Sequence, residues 1–274
     1  MSGFTTPDSK SQASAASAAA STAAAAEANT VLFPETWNKE DTTIEKINLQ
    51  HFYPHRAECP WALVLHGILS KEECQALIDR SERQEFSTAE VNIGGGKQKK
   101  MTDVRNNDRT FIDDVKLAAQ IWVRIADTLP REQGEDGAFL HEQKNRKGGN
   151  WTAVGVNERL RVLRYDPGTY FAPHFDGTYE RVDPQHPQCG DISMITAQIY
   201  LNQGFQGGAT AFLDPNEWNN PEESKIDVVP RTGSVLLFEH PLLHEGSKLL
   251  VGRKYTIRSD IMFHRDEDAD GSEK

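Results

Sequence analysis

The stretch Pro173-His174-Phe175-Asp176-Gly177 places a histidine and a carboxylate two residues apart. In an extended strand, side chains alternate between the two faces, so we expect His174 and Asp176 to point the same way and Phe175 to point into packing. A second, distal histidine would complete the set of two histidines and one carboxylate that holds non-haem Fe(II) and leaves coordination positions open. The tripeptide alone is more typical of an ordinary surface strand, so the surrounding sequence has to distinguish the two interpretations.

From Trp151 onward, the chain consists of short β-type runs separated by Gly, Pro, Asn and Asp. The predicted strands cover residues 160–165, 170–176, 192–202, 209–213, 226–229, 234–238 and 253–264. Short strands at this spacing are typical of a sandwich or a barrel rather than of a parallel sheet. We therefore expect a double-stranded β-helix, that is, a cupin-like jelly roll, whose open mouth is a natural metal pocket.

The N-terminal half is predicted to contain two amphipathic helices. Ser70 and Glu73 form a capping-box sequence, which predicts a helix from about 71 to 83. Apolar residues at helical spacing between Asp114 and Pro130 predict a second helix, and the apolar run at 61–65 predicts a strand. Each helix has one apolar stripe and should pack on a sheet. The expected fold class is α+β with a mostly β core and supporting N-terminal helices.

Composition suggests how the chain is divided. An Ala/Ser-rich run of low complexity predicts a disordered leader over 1–34. We expect a single domain over 35–268, with helix-containing support over 35–150 and the jelly-roll core over 151–265, followed by an acidic tail over 269–274. The segment 91–109 is a candidate for a mobile or substrate-facing position, because it is long for a connector and too polar for a core. The segment 177–191 directly follows the His-x-Asp run and could fold over the pocket as a lid.

The overall charge and the cysteines restrict the functional class. A net charge of -11 and a pI near 5.3 argue against a nucleic-acid-binding surface. Cys59, Cys74 and Cys189 have neither metal-type nor redox spacing, so free thiols in a reducing compartment are expected. The sequence has no signal-peptide pattern and no apolar run of about 18 residues. We expect a cytoplasmic protein that could also enter the nucleus and that binds neither nucleic acid nor membrane.

Five segments of the β-rich half, taken in order, resemble the prolyl 4-hydroxylase-like branch of the Fe(II)- and 2-oxoglutarate-dependent oxygenases. The first contains a tyrosine, a glycine turn and then His-x-Asp, and the last contains Leu-His-Glu-Gly followed by a lysine. The segments are 158–176, 195–202, 207–212, 230–238 and 243–255. Each segment alone is a modest signal, but their common order makes the resemblance a strong one.

The resemblance implies that His244 is the distal histidine and that it holds Fe(II) together with His174 and Asp176. His240 is the alternative, but it precedes a proline and lacks the Glu-Gly pair that follows His244. His51 and His55 are four residues apart, which on a helix would make a metal pair, but Pro54 argues against a helix, so both are expected to be solvent-facing or hydrogen-bonded. The remaining histidines have no ligand-like context: His66, His141, His186 and His264.

The resemblance also implies a site for the co-substrate. Lys254 matches the lysine that pairs with the distal carboxylate of 2-oxoglutarate, Tyr200 a tyrosine that hydrogen-bonds the same carboxylate, and Tyr165 one that lines the pocket. For either tyrosine, and for Thr196, the alternative is a buried side chain whose hydroxyl has a structural partner. Arg258 lies two alternations beyond Lys254 and could contact 2-oxoglutarate or the substrate.

The implied activity is hydroxylation of an unactivated C–H bond, coupled to decarboxylation of 2-oxoglutarate to succinate. Dioxygen is the oxidant and ascorbate the supporting reductant. The substrate stays open between a protein prolyl residue, a free amino acid and a small metabolite, and so does the oligomeric state. The segment 105–111 departs from the Arg-Thr-Ser type of loop in the family, at a place where substrate would bind. Two alternatives are a non-catalytic jelly-roll binding module and another metal-dependent cupin enzyme.

Overall fold

The computed structural model describes residues 33, 37–54, 60–92, 97–130, 143–144, 150–217 and 224–266. The predicted leader, apart from Phe33, and the predicted acidic tail lie outside these residues, as do Cys59, His55 and His141.

Two α-helices lie in this part of the chain, α1 (Lys71–Glu82) and α2 (Val115–Thr128), as the sequence predicts. The capping box of α1 is formed in both directions: the Ser70 side chain accepts from the Glu73 amide, and the Glu73 carboxylate accepts from the Ser70 amide. Asp114 caps α2 by accepting from the Leu117 amide. Among the described residues, no helix combines the length and the apolar character needed to cross a membrane.

The remaining structure is β. The strands, in chain order, are β1 (Thr43–Ile47), β2 (Ala62–His66), β3 (Ser87–Thr88), β4 (Val91–Asn92), β5 (Gln98–Lys99), β6 (Asp108–Asp113), β7 (Gln143–Lys144), β8 (Asn150–Val156), β9 (Arg159–Tyr165), β10 (Phe171–His174), β11 (Ile192–Tyr200), β12 (Gln206–Gly207), β13 (Thr210–Leu213), β14 (Lys225–Val228), β15 (Val235–Glu239), β16 (His244–Gly246), β17 (Leu249–Val251) and β18 (Lys254–Arg265).

These strands form two main antiparallel sheets. The larger one has the order β1-β2-β15-β11-β18-β9-β6-β3, with β8 paired to β18 and β7 paired to β8. The smaller one has the order β10-β16-β13-β14. From β9 to β18 the chain passes back and forth between the two sheets, which is the topology of a jelly roll and confirms the predicted fold class.

An apolar core fills the space between the sheets. Phe212 of the smaller sheet and Phe238 of the larger one meet edge to face, with ring centroids 5.4 Å apart. Around them lie Ile47, Leu49, Phe52, Tyr53, Ala62, Val64, Tyr200, Val228, Leu236 and Leu242. Alternate residues of β15 enter this core, because side chains of a strand alternate between the two faces.

The two helices are joined by a buried ion pair. The Arg124 guanidinium of α2 makes a forked contact of 2.8 Å per bond with both oxygens of Glu73 on α1. It also donates to the Ile68 carbonyl at 3.0 Å. Glu73 therefore caps its own helix and anchors the neighbouring one, so the helices form one support for the sheet.

The strands of the large sheet that are missing from the sequence prediction are β1, β3, β6, β7 and β8. In β1, four of the five residues are exposed, so this edge strand carries no alternating apolar pattern. β8 follows a charged, glycine-rich segment that resembles a loop. In addition, β6 begins at Asp108, inside the segment 91–109 that we predicted to be mobile or substrate-facing.

We predict that Gly233 is the least replaceable glycine of the sandwich. It has φ +82, and a Cβ there would collide with the Leu69 carbonyl oxygen. Gly204 has φ +87 but no atom within 4 Å of its Cβ position, so Gly204→Ala is the matched control. Gly204→Ala should lower the free energy of unfolding by about 1 kcal/mol and Gly233→Ala by about 3 kcal/mol or more, measured by urea unfolding. Equal losses in the two variants would contradict the collision.

Candidate active site

Three potential metal ligands converge where β10 and β16 pair. His174 ends β10, His244 begins β16, and the two residues face each other in the antiparallel register. Asp176 follows two residues after His174, with Oδ1 3.9 Å from His174 Nε2 and Oδ2 3.7 Å from His244 Nε2. One donor atom from each residue lies within 4.8 Å of the others, and no second cluster of this kind occurs among the described residues.

The backbone fixes the orientation of both imidazole rings. His174 Nδ1 lies 2.8 Å from the Ala172 carbonyl, and His244 Nδ1 lies 2.9 Å from the Leu242 carbonyl. Since a carbonyl can only accept, each Nδ1 carries the proton and each Nε2 presents a lone pair. Burial lowers the pKa of His174 to about 3 and also lowers the pKa of His244. Both rings are therefore neutral at neutral pH, the form that a metal ion requires.

The Asp176 carboxylate is held at both oxygens. Thr196 Oγ1 donates to Oδ2 at 2.6 Å, and Arg258 Nη2 lies 3.1 Å from Oδ1. Burial would raise the pKa of this carboxyl, but Arg258, His244 and His174 together bring it well below its usual range. Asp176 is therefore an ionised ligand with a fixed orientation.

A second layer of charges supports Arg258. Its Nη2 also lies 3.0 Å from Asp260 Oδ1, and Asp260 Oδ2 lies 3.1 Å from Arg161. His240, the alternative ligand, is buried with Nε2 3.5 Å from Asp260 Oδ1, and it does not belong to the three-residue cluster. Its backbone carbonyl accepts from the Asp176 amide at 3.1 Å, so His240 lies behind the ligands.

The position of Phe175 differs from the prediction. β10 ends at His174, so the strand alternation does not continue through the next residue. The Phe175 side chain is 52% exposed and lies at the cavity, whereas we expected it to point into packing. Phe171 supplies the packing instead: its ring stacks on His174, with centroids 3.6 Å apart.

Lys254 is a buried cation in the same cavity. It begins β18 opposite Tyr165 of β9 and is 2% exposed. Its Nζ donates to the Gly208 carbonyl at 2.6 Å and lies 5.0 Å from the centre of the Tyr165 ring. No carboxylate of the described residues forms an ion pair with it, and burial lowers its pKa to about 7.

The two tyrosines lie differently with respect to the cavity. Tyr165 lines it, as predicted for a pocket residue. Tyr200 is fully buried behind the wall, and its hydroxyl donates to Thr210 Oγ1 at 2.9 Å. Thr210 itself lines the cavity, so the hydroxyl closest to a ligand belongs to the threonine.

The cavity has a volume of about 920 Å³ and contains the three ligands, Lys254 and Arg258 in its lining. This size accommodates a co-substrate and part of a second molecule. The candidate substrate-facing segment 91–109 reaches it through Val91 and Arg105, and the candidate lid segment 177–191 reaches it through Tyr179.

Sequence reasoning assigned no role to Thr210, Arg105 or Asn107. Thr210 lies inside one of the five resemblance segments, so its position offered a signal. Arg105 and Asn107 lie in a segment that we predicted to be too polar for a core, yet both are buried. They are accommodated because Arg105 Nε donates to Asn107 Oδ1 at 2.8 Å.

The fold is a jelly roll whose cavity brings together two histidines, one carboxylate and a buried lysine. Residues 160–259 match the family model described as the 2OG-Fe(II) oxygenase superfamily. Over this part of its length, the chain is similar to the 2OG-Fe(II) oxygenases of the prolyl 4-hydroxylase-like kind.

Curated relatives carry the same description. Probable prolyl 4-hydroxylase 3 of Arabidopsis thaliana is 29% identical over 220 residues, which cover 72% of this chain and 67% of the relative. Prolyl 4-hydroxylase 2 of the same plant is 26% identical over 222 residues, covering 72% and 65%. The chain therefore spans about two thirds of the length of these relatives. Among solved structures, the viral collagen prolyl hydroxylase from Paramecium bursaria Chlorella virus-1 is 20% identical with a TM-score of 0.44, covering 73% of this chain and 95% of that chain.

We predict that the Thr196 hydroxyl contributes to metal affinity through Asp176. Thr196→Val removes the donor to Oδ2 at nearly constant volume, so the affinity for Mn(II), used in place of Fe(II), should fall by about tenfold in calorimetric titration. Thr256→Val is the matched control, because the Thr256 hydroxyl is buried on β18 and has no hydrogen-bond partner among the residues that the structure describes. It should bind Mn(II) like the unmodified protein. Unchanged affinity in Thr196→Val would refute the role of this hydroxyl.

Proposed function

We propose that this chain is an Fe(II)- and 2-oxoglutarate-dependent dioxygenase that hydroxylates an unactivated C–H bond, with His174, Asp176 and His244 as the metal ligands. The observation that carries the proposal is the presence of these three donors and the unpaired Lys254 in one cavity. A metal alone would need no such lysine. A chelating 2-oxoacid with a second carboxylate would bind the metal ion at one end and Lys254 at the other.

The donors suit Fe(II). Two neutral imidazole nitrogens and one carboxylate oxygen, arranged on one face, are the ligand set of non-haem iron oxygenases and leave three positions for other ligands. Fe(II), when bound, would supply the oxidative chemistry that converts 2-oxoglutarate, dioxygen and the C–H substrate to succinate, carbon dioxide and the hydroxylated substrate. The protein holds the metal ligands in place, balances the negative charge of Asp176 with the Arg258 guanidinium and surrounds the reacting atoms with packed side chains.

The pocket suits 2-oxoglutarate. The Lys254 ammonium would pair with the distal carboxylate, and the Thr210 hydroxyl, oriented by Tyr200, would donate to it. Tyr165, beside Lys254, would bound the same end of the pocket. We propose that Arg258 holds Asp176 and does not contact 2-oxoglutarate, because its guanidinium lies against Asp176 and Asp260.

For the substrate, we propose a prolyl residue of a peptide, a free amino acid or a small metabolite, with ascorbate as the supporting reductant. The names of the curated relatives favour a prolyl substrate. We further propose that residues 35–268 form one oxygenase domain, since β2 and β6 of the N-terminal half pair with β15 and β9. The free thiols of Cys74 and Cys189 support a cytoplasmic location.

The alternatives fit the cavity less well. A non-catalytic jelly-roll module needs neither a complete ligand set nor an inward lysine, and a cupin enzyme that does not use 2-oxoglutarate has no use for Lys254. Lys254 lines the cavity that contains the three donors, which favours the oxygenase.

We predict that the purified protein with Fe(II), ascorbate and 2-oxoglutarate forms succinate slowly even without its substrate. His174→Ala should lower this rate by at least about a hundredfold, because the ligand set is broken. His51→Ala, a change at an exposed histidine on a single-turn helix, is the control and should keep the rate. Succinate formation that is unaffected by His174→Ala, or no calorimetric binding of 2-oxoglutarate to the Mn(II) form, would exclude the proposed function.

We predict that binding of 2-oxoglutarate above pH 7 takes up a proton. Burial lowers the pKa of Lys254 to about 7, so at pH 8 the amine is mostly neutral before binding and becomes an ammonium beside the carboxylate. Affinity for 2-oxoglutarate in the Mn(II) form should therefore fall by up to about tenfold per pH unit above 7. Calorimetry at pH 8 in two buffers of different ionisation enthalpy measures the uptake.

Lys254→Arg is the matched variant for this measurement. An arginine stays charged throughout this range, so the variant should bind 2-oxoglutarate without proton uptake. Equal uptake in both proteins would assign the proton to another group.

A further inference from the structure

Five arginines line the cavity, and they differ in their partners. Arg258 contacts Asp176 and Asp260, Arg161 contacts Asp260, and Arg159 lies 3.9 Å from Asp113. Arg105 and Arg109 lie in the same lining but form no ion pair with a carboxylate of the described residues. These two guanidiniums therefore need a separate explanation.

Arg105 is 8% exposed, and its partners are neutral. Its Nε donates to Asn107 Oδ1, and its guanidinium lies 4.3 Å above the centre of the Phe171 ring. Burial lowers its pKa to about 10; Arg109 and Arg258 act in the same direction, whereas Tyr165 and Asp176 oppose the shift. A guanidinium stays charged at that value, so a desolvated cation is kept here without an ion pair among the described residues.

Arg109, the second residue of β6, is likewise a buried guanidinium with a neutral hydrogen-bond partner. It is 8% exposed, its Nη2 donates to the Gln98 side chain at 3.0 Å, and its Nε is buried with no hydrogen-bond partner among the described residues. Glu90, which also lines the cavity, acts to raise the pKa of Arg109 but forms no ion pair with it in the described part of the chain. Two buried guanidiniums thus line the same cavity.

We propose that Arg105 and Arg109 form a carboxylate subsite for the substrate, so that the molecule hydroxylated by this enzyme carries a carboxylate near the reacting carbon. This inference rests on the proposed function and narrows its substrate class. Guanidinium is the cation best suited to a carboxylate, because its fork matches the two oxygens. The carboxylate could be that of a free amino acid or small acid, or that of an acidic peptide.

The location fits a substrate contact. Phe171 lies between Arg105 and the metal ligands: Arg105 covers its ring, and the ring stacks on His174. A group bound at Arg105 is therefore close to the metal without displacing its ligands. In the proposed function, Lys254 binds the distal carboxylate of 2-oxoglutarate. Arg105 is therefore available to bind the substrate.

The test uses acetate as a probe on the protein loaded with Mn(II) and saturated with 2-oxoglutarate. Calorimetry should detect acetate binding in the unmodified protein, and Arg105→Gln should weaken it at least tenfold. Arg105→Lys should lose less, because it keeps the charge. Arg231→Gln, at an exposed arginine outside the cavity lining, is the control and should bind acetate like the unmodified protein.

Several outcomes would overturn the subsite. Acetate affinity that is unchanged in Arg105→Gln refutes it, and so does the absence of acetate binding to the unmodified protein. A loss of 2-oxoglutarate affinity equal to the loss of acetate affinity would assign Arg105 to the co-substrate instead. If 2-oxoglutarate itself does not bind the Mn(II) form, the proposed function fails, and that result is distinct from a failure at Arg105.

A second arm identifies the source of the carboxylate. A mixed pool of metabolites and peptides is divided, one half is amidated at its carboxylates, and both are incubated with the Fe(II) enzyme under ¹⁸O₂. Mass spectrometry should find ¹⁸O-labelled products in the untreated half alone, and their masses separate small acids from peptides. The same products in the amidated half would refute the subsite. The acetate measurement decides the inference if neither half is labelled.

Discussion

The antiparallel pairing of β10 with β16 is the constraint on which the site depends. It places His174 opposite His244, so two imidazoles from distant parts of the chain meet without any contribution from a flexible loop. The same extended backbone places a carbonyl two residues before each histidine within reach of its Nδ1. Sheet geometry therefore fixes the ring positions and also selects the tautomer that leaves Nε2 available.

β18 organises the rest of the site. Its residues Lys254, Arg258 and Asp260 are separated by even numbers, so their side chains share the face directed at the cavity. Lys254 and Arg258 are four residues apart, about 13 Å along a strand. The two cations therefore have different partners. Lys254 has no ion pair among the described residues, whereas Arg258 contacts both Asp176 and Asp260. A single strand thus serves both the anion-binding end and the metal end of the pocket.

The features that sequence could predict are those with local or ordered signals. The capping box of α1 depends on residues three apart, and the jelly roll is indicated by regularly spaced strands. The ligand set could be predicted only from the order of five segments. His174 and His244 are 70 residues apart, and no local sequence pattern indicates that they are in contact. β1 was missed since edge strands need no apolar alternation. The burial of Arg105 was missed for a related reason: a polar run predicts exposure, and only the folded structure supplies Asn107 and Phe171 as its neighbours.

The charges of the cavity connect stability with function. Burying a cation without a partner is unfavourable, and mutation readily replaces such groups where nothing requires them. Asp176 and Asp260 have cations beside them, whereas Lys254, Arg105 and Arg109 have neutral partners among the described residues. These three basic side chains thus line the cavity without an ion pair among the described residues, even though the lining as a whole also contains carboxylates. This arrangement is consistent with a pocket that anionic molecules enter, one beside Lys254 and another beside Arg105.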